Sequence, residues 1–184
     1  MRAVVETERL TLKILDATMA DKVLEKYVLN RTFLQPWEPK RSEGFFTYET
    51  QFSSLALDAQ AMERGEMLRY WIYLKDGTGP IGTIALTNII RGVFKSCFLG
   101  YKLSESHGGK GYMVEAIEKI VEIAFQELKL HRLEANIMPH NIRSLKSIEK
   151  LGFKEEGLSE KYLKINGKWE DHYRFTLINQ ALDI

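Results

Sequence analysis

The apolar positions of this chain change period repeatedly, and each change marks an element. Leu10, Leu12 and Ile14 alternate with polar residues, which predicts a first strand. Met19, Val23, Tyr27 and Val28 then recur at helical spacing, predicting a helix from Asp16 to Leu29. Asn30 to Glu43 carries Pro36 and Pro39 around Trp37 and Glu38 and reads as a loop with room for a short helical turn. Tyr48 to Glu63 predicts a second helix. Three strands follow, Arg69–Lys75, Ile81–Ile90 and Lys95–Leu103, whose short connections imply an antiparallel meander.

After Leu103 the pattern turns. A polar, glycine-rich stretch leads into Met113, Val114, Ile117, Ile120, Val121, Ala124, Phe125 and Leu128, the clearest helical stripe in the sequence. His131–Met138 is a strand closed by Pro139. Asn141–Leu151 is a short helix stopped by Gly152, a residue suited to a left-handed cap. Glu160–Ile165 and Lys168–Leu177 flank Asn166-Gly167, a two-residue hairpin signal. The order, seven strands and four helices interleaved, implies an α/β (α+β) mixed sheet with helices on its faces. No repeat or linker interrupts it, so residues 1–184 are expected to form a single domain.

Composition narrows the function. Hydrophobic residues are 45% and charged residues 28% of the chain, and the formal net charge is +1, so nothing favours long-range attraction to nucleic acid or an anionic membrane. The single cysteine, Cys97, excludes an internal disulfide and lies among apolar strand residues, which suits core packing better than nucleophilic attack. Glu6, Glu8 and Arg9 interrupt the start of the chain, which therefore does not read as a secretory signal, and a cytoplasmic location is expected. His107, His131, His140 and His172 have no ligand spacing, so no metal is expected.

Two segments carry candidate chemistry. Between the strand ending at Leu103 and the helix starting near Met113 stand Gly108, Gly109, Lys110, Gly111 and Tyr112. Glycines let main-chain N–H groups turn to one point, and the following helix start adds unpaired donors and a positive dipole end, a combination suited to a pyrophosphate. The spacing is that of neither a Walker loop nor a dinucleotide fingerprint, and a plain strand-to-helix turn explains it equally well. The second segment is Asn141, Arg143 and Ser144 at the next helix start, where Asn141 also suits simple N-capping. Two consecutive strand–loop–helix units put both helix starts beside one cleft.

At these residues the sequence resembles the Gcn5-related N-acetyltransferases, and within them the RimJ/RimL type, which acetylates ribosomal-protein N-termini; the alanine-directed branch is nearest in pattern. The resemblance spans nearly the whole chain. It rests on Phe33-Leu34-Gln35-Pro36-Trp37-Glu38-Pro39, Leu99-Gly100-Tyr101, Gly109-Lys110-Gly111-Tyr112-Met113, Met138-Pro139-His140-Asn141, Leu151-Gly152-Phe153 and Gly167-Lys168-Trp169-Glu170-Asp171-His172.

The resemblance implies a seven-stranded, mostly antiparallel sheet with about four helices, and acetyl-CoA in a V between the strands ending at Leu103 and Met138. The backbone of Lys102 and Leu103 would hold the pantetheine arm and Gly108–Met113 the diphosphate. Asn141 would bond the pantetheine amides, and Arg143 or Lys146 would lie near the nucleotide phosphates. It further implies a protein N-terminus as acceptor, a ribosomal protein among the candidates, with a homodimer compatible; the near-neutral charge leaves no membrane or direct nucleic-acid partner expected.

Two departures stand out. The family loop often opens with Arg or Gln where this chain has Gly108, and many members carry a tyrosine acid where this chain has Ile148. The RimL type is proposed to use a serine matching Ser144 as acid, so Ser144 is the candidate here. Glu134 and Asn136 share one strand face by period two and are the candidate proton acceptors; Glu160 and His172 are further ones. Trp37 and Glu38 would border the acceptor.

An α-amine titrates roughly 2.5 units below a lysine, a gap of about 3.4 kcal/mol, so a site without a strong base suits a protein N-terminus better than a lysine. The alternatives are a small-molecule amine as acceptor, or a CoA-binding ribosome-assembly module without catalysis.

Overall fold

A computed structural model describes residues 2–182. Eight strands form one sheet: β1 (Val4–Glu6), β2 (Leu10–Lys13), β3 (Leu68–Leu74), β4 (Gly82–Ile90), β5 (Ser96–Leu103), β6 (Arg132–Ile137), β7 (Lys154–Ile165) and β8 (Lys168–Ile178). The α-helices are α1 (Ala20–Leu29), α2 (Arg31–Leu34), α3 (Tyr48–Glu63), α4 (Tyr112–Glu122) and α5 (Ile142–Lys150). The strands lie in the order β1-β2-β3-β4-β5-β6-β8-β7. Every neighbouring pair is antiparallel except β5 and β6, which run parallel with α4 as their crossover.

The mixed α/β class holds, with one strand and one short helix more than the sequence pattern predicts. The added strand, β1, is three residues long, too short to display alternation. The added helix, α2, is a single turn before Pro36. Strand β7 begins at Lys154 rather than Glu160, because its register shifts twice, between Glu155 and Gly157 and between Ser159 and Leu163. Each shift breaks the alternation that marks a strand.

Strand β3 explains the layering. Leu68, Tyr70 and Ile72 point into a core shared with α4 and α5, while Trp71 and Tyr73 point into a second core with α1 and α3. A strand covered on both faces is apolar at nearly every position, which accounts for the aromatic run of Leu68–Leu74. Helix α4 contributes Ala116, Ile117 and Ile120, and its continuation contributes Ile123 and Ala124. Fully burying a side chain of this size stabilises the fold by about 1.5–3 kcal/mol, so this stripe anchors the crossover.

Gly152 has φ +81, the left-handed cap its position predicts, and Asn166 and Gly167 both have positive φ, as a tight hairpin turn requires. Helix α1 departs from expectation: Val28 is exposed, whereas Lys26 is buried beside Val23 and Tyr27. Among the described residues no helix is long and apolar enough to cross a membrane.

Candidate active site

Strands β5 and β6 pair over three positions only: Ser96 with Arg132, Cys97 with Leu133 and Phe98 with Glu134. Beyond that point each strand follows its other neighbour. Strand β5 stays on β4 up to Leu103 opposite Gly82, and β6 stays on β8 up to Ile137 opposite Tyr173. The backbones therefore diverge, and a gap opens between Gly100–Leu103 and Ala135–Ile137. Gly82 helps hold β5 to β4 here: a methyl group at Gly82 would meet the Lys102 carbonyl oxygen at 2.6 Å. Each arm of the gap runs into a helix start, β5 into α4 and β6 into α5.

The turn into α4 is built from main-chain conformation. Gly109 and Gly111 have φ of +77 and +80, a region costly for residues with a Cβ. The amides of Gly109, Lys110 and Gly111 have no hydrogen-bond partner among the described residues, and the first amides of a helix have none within it. The Gly108 amide differs from expectation: it donates to the Glu105 carbonyl at 3.1 Å and so closes a turn rather than staying free. Tyr112 and Met113 turn their side chains onto the core.

The N-terminal segment braces this turn. Glu115 accepts from the Arg9 amide (2.8 Å), the Arg9 Nε (2.7 Å) and Thr7 Oγ1 (2.6 Å), and the Arg9 guanidinium also donates to the Lys110 carbonyl at 2.9 Å. These donors hold the Glu115 carboxyl below its ordinary range despite the opposing effect of burial.

The α5 start meets the same turn. A methyl group at Gly108 would lie 3.1 Å from an Arg143 guanidinium nitrogen. The missing Gly108 side chain thus leaves room for Arg143, whose side chain has no ion-pair partner among the described residues. Asn141 caps the helix, its Oδ1 accepting from the Ser144 amide at 3.3 Å. Ser144 Oγ lies 2.6 Å from the Tyr101 hydroxyl, a contact that crosses from β5 to α5. Burial pushes the Tyr101 phenol up to about 12, so it stays protonated. Ile148 is fully buried. Cys97 is buried too, and burial pushes its thiol up to about 12, so it is a packing residue.

The opposite face of the sheet carries a different set. Glu134 and Asn136 project from β6 away from its core residues Leu133, Ala135 and Ile137. Asn136 Nδ2 donates to Glu134 Oε1 at 3.1 Å, while Asn136 Oδ1 is buried without a donor. His172 Nδ1 donates to the Glu170 carbonyl oxygen, 3.0 Å away, so Nδ1 carries the hydrogen. Burial lowers the His172 pKa, and Tyr162 packs against its ring edge. Glu160 is exposed.

Trp37 stacks against His140 with ring centres 5.4 Å apart, joining the α2 region to the loop before α5. Glu38 is 8% exposed, and its carboxylate is engaged by Lys102 and, at 3.5 Å, by Arg41. Its backbone carbonyl accepts from the Asn166 amide at 2.8 Å, docking the β7–β8 hairpin tip onto this loop. Lys26 and Lys102 each place their ammonium 5.1 Å from the Tyr27 ring centre. The Lys26 ammonium is buried without a hydrogen-bond partner, and its pKa falls to about 7, through desolvation first and then repulsion from Lys102. A cavity of about 400 Å³ lies beside this cluster, lined by Tyr27, Arg41, Leu55, Trp71, Gly100 and Lys102.

Sequence reasoning put Gly108–Met113, Asn141, Arg143, Ser144, Glu134, Asn136, Trp37 and Glu38 near one cleft; the structure sets Gly108, Arg143 and Ser144 with the α4 and α5 starts, and Glu134 and Asn136 on the other face of β6. Sequence reasoning missed the engagement of Tyr101 with Ser144 and the burial of Lys26. The only local signal for Lys26 was its place between Val23 and Tyr27 on the apolar face of α1.

Residues 9–154 match the family model of the acetyltransferase (GNAT) domain, so the chain belongs to the GNAT family and is an acyltransferase. Within that family it is similar to the RimJ and RimL acetyltransferases. It is 39% identical to the probable N-acetyltransferase YjcK of Bacillus subtilis over 90% of this chain and 91% of that one. It superimposes on the ribosomal-protein-S5-alanine acetyltransferase of Vibrio fischeri with a TM-score of 0.92 at 34% identity, covering 97% of each chain. RimJ of Mycobacterium smegmatis, solved in complex with CoA-disulfide, gives a TM-score of 0.88 at 26% identity, covering 95% of this chain and 84% of that one.

Proposed function

We propose that this acyltransferase moves the acetyl group of acetyl-CoA to the N-terminal α-amine of a protein, a ribosomal protein being the class its relatives name. The reading rests chiefly on one observation: the strands part after Phe98 and Glu134, while the α4 and α5 starts converge, with Arg143 against Gly108. A thioester chain fits between parted strands, and its diphosphate fits free amides beside an unpaired guanidinium.

In this reading the amides from Gly109 to Met113 bind the diphosphate, with Arg143 and Lys110 adding charge. The Lys102–Leu103 backbone and Asn141 hold the pantetheine arm. The thioester is already activated, so the amine attacks it directly in a ternary complex, and the protein's work is to position reactants and polarise the carbonyl. Ser144 protonates the departing thiolate. Glu134 takes the amine's proton through a water that Asn136 Oδ1, which lacks a donor, holds by accepting a hydrogen bond. Trp37 and Glu38 border the acceptor; because Glu38 is held by Lys102 and Arg41, it shapes that border rather than acting as a free anion.

Peptides with a free N-terminal Ala or Ser should be acetylated faster than N-blocked peptides carrying a lysine, measured by thiol release. Equal rates would remove the α-amine assignment, and turnover on small amines alone would favour the small-molecule reading. Mass spectrometry of protein N-termini in cells with and without this protein would identify the acceptor.

A further inference from the structure

The contact between Tyr101 and Ser144 joins the two arms of the gap, and it has a direction. A phenol is a far stronger acid than an aliphatic alcohol, so Tyr101 donates and Ser144 Oγ accepts. Ser144 is the only hydrogen-bond partner of the Tyr101 hydroxyl among the described residues. The serine's amide is tied to Asn141 Oδ1, which fixes the first turn of α5. With Tyr101 donating, the serine's own hydroxyl hydrogen has no other acceptor among the described residues. A hydroxyl that accepts from one side and carries a spare proton on the other has its rotation restricted.

We propose that Tyr101 is a positioning residue for Ser144: its phenol holds the serine hydroxyl so that the serine proton faces the departing sulfur. This rests on the acetyl-transfer reading given above. In the step concerned, the amine nitrogen forms a bond to the carbonyl carbon and the carbon–sulfur bond breaks. The sulfur leaves with the electron pair and takes the proton of Ser144 Oγ. The proton released by the acylated nitrogen passes through water to Glu134, and solvent then carries a proton from Glu134 back to the serine. Tyr101 keeps its proton throughout, consistent with burial holding the phenol up at about 12. The chain thereby supplies from β5 a phenol that acts on α5, where Ile148 fills a core position instead.

A double-mutant cycle tests this. Tyr101→Phe keeps the ring in the core and removes only the hydroxyl. Its single-turnover rate with acetyl-CoA and a preferred acceptor should fall about tenfold, the effect of one well-placed hydrogen bond, while the acetyl-CoA dissociation constant stays within about twofold. Ser144→Ala should lose at least as much. In the Ser144→Ala background, adding Tyr101→Phe should change nothing, because the group it positions is gone.

Two results would overturn the proposal: a Tyr101→Phe enzyme as fast as wild type, or a second loss of similar size in the Ser144→Ala background, which a packing defect would give. Thermal melting of all four proteins separates misfolding from loss of positioning. Failure of the wild-type protein to bind acetyl-CoA would instead overturn the underlying reading.

Discussion

The two sides of the gap are built from different materials. On the α4 side the site is main chain: glycine torsions, free amides and a helix start, braced from behind by Arg9 and Glu115. On the proposed acceptor side it is side chain: Glu38 between Lys102 and Arg41, Lys26 buried without a hydrogen-bond partner, and Asn136 against Glu134. A main-chain site depends on local conformation, so its substitutions should change ligand binding more than stability. A buried charge cluster depends on every member being present, so its substitutions should change stability more than binding.

The largest expected effect lies in the charge cluster. Glu38→Ala leaves Lys102 and Arg41 without their carboxylate next to the already unpaired Lys26. Because Lys102 and Arg41 are partly open to solvent, this should cost about 2–3 kcal/mol in urea unfolding; a loss under about 1 kcal/mol would mean the cluster is effectively solvated. Lys26 should act in the opposite direction. Removing an amine that is buried without a partner, as in Lys26→Met, should stabilise the protein at pH 7 by roughly 1–3 kcal/mol.

The pH dependence of stability sharpens that expectation. Lys26 titrates near 7 in the folded chain and near 10.5 in its ordinary state. Between those values the unfolded chain holds the extra proton, so stability should rise with pH across that window. The cost of the buried cation is fully present below about pH 7. Lys26→Met should flatten the rise, and an unchanged slope would place the titration elsewhere.

On the main-chain side the effects on stability are smaller. Gly111→Ala puts a Cβ into the left-handed region, a cost of about 1 kcal/mol, and should weaken acetyl-CoA binding about a hundredfold by calorimetry. The smallest effect is Arg143→Gln. It removes one charge-assisted contact, so affinity should fall about fivefold to tenfold with little change in melting. Stability losses larger than that of Glu38→Ala at either position would erase the contrast between the two sides.

The same contrast decides what was legible in the sequence. Gly109 and Gly111, the stripe from Met113 to Leu128, and the Asn166-Gly167 turn act through neighbours a few residues away, so pattern alone exposes them. The class of fold and the convergence of two helix starts followed from them. Lys26 was not singled out, because its burial depends on Tyr27, Lys102 and Glu38 meeting across three elements. Tyr101 looked like an ordinary strand aromatic, because Ser144 is 43 residues away in sequence. Strand β7 was shortened by its bulges, where Gly157 and Lys161 have positive φ and interrupt alternation. The freedom of the Gly108 amide was overestimated, because its turn partner, Glu105, sits in a stretch without periodicity.

Titrating acetyl-CoA into isotope-labelled protein and following backbone amide resonances addresses the proposed diphosphate site most directly. The largest shifts should fall on Gly109, Lys110, Gly111 and Tyr112, with smaller ones on Asn141 and Arg143. Saturable binding that leaves the four loop amides unmoved would contradict the account.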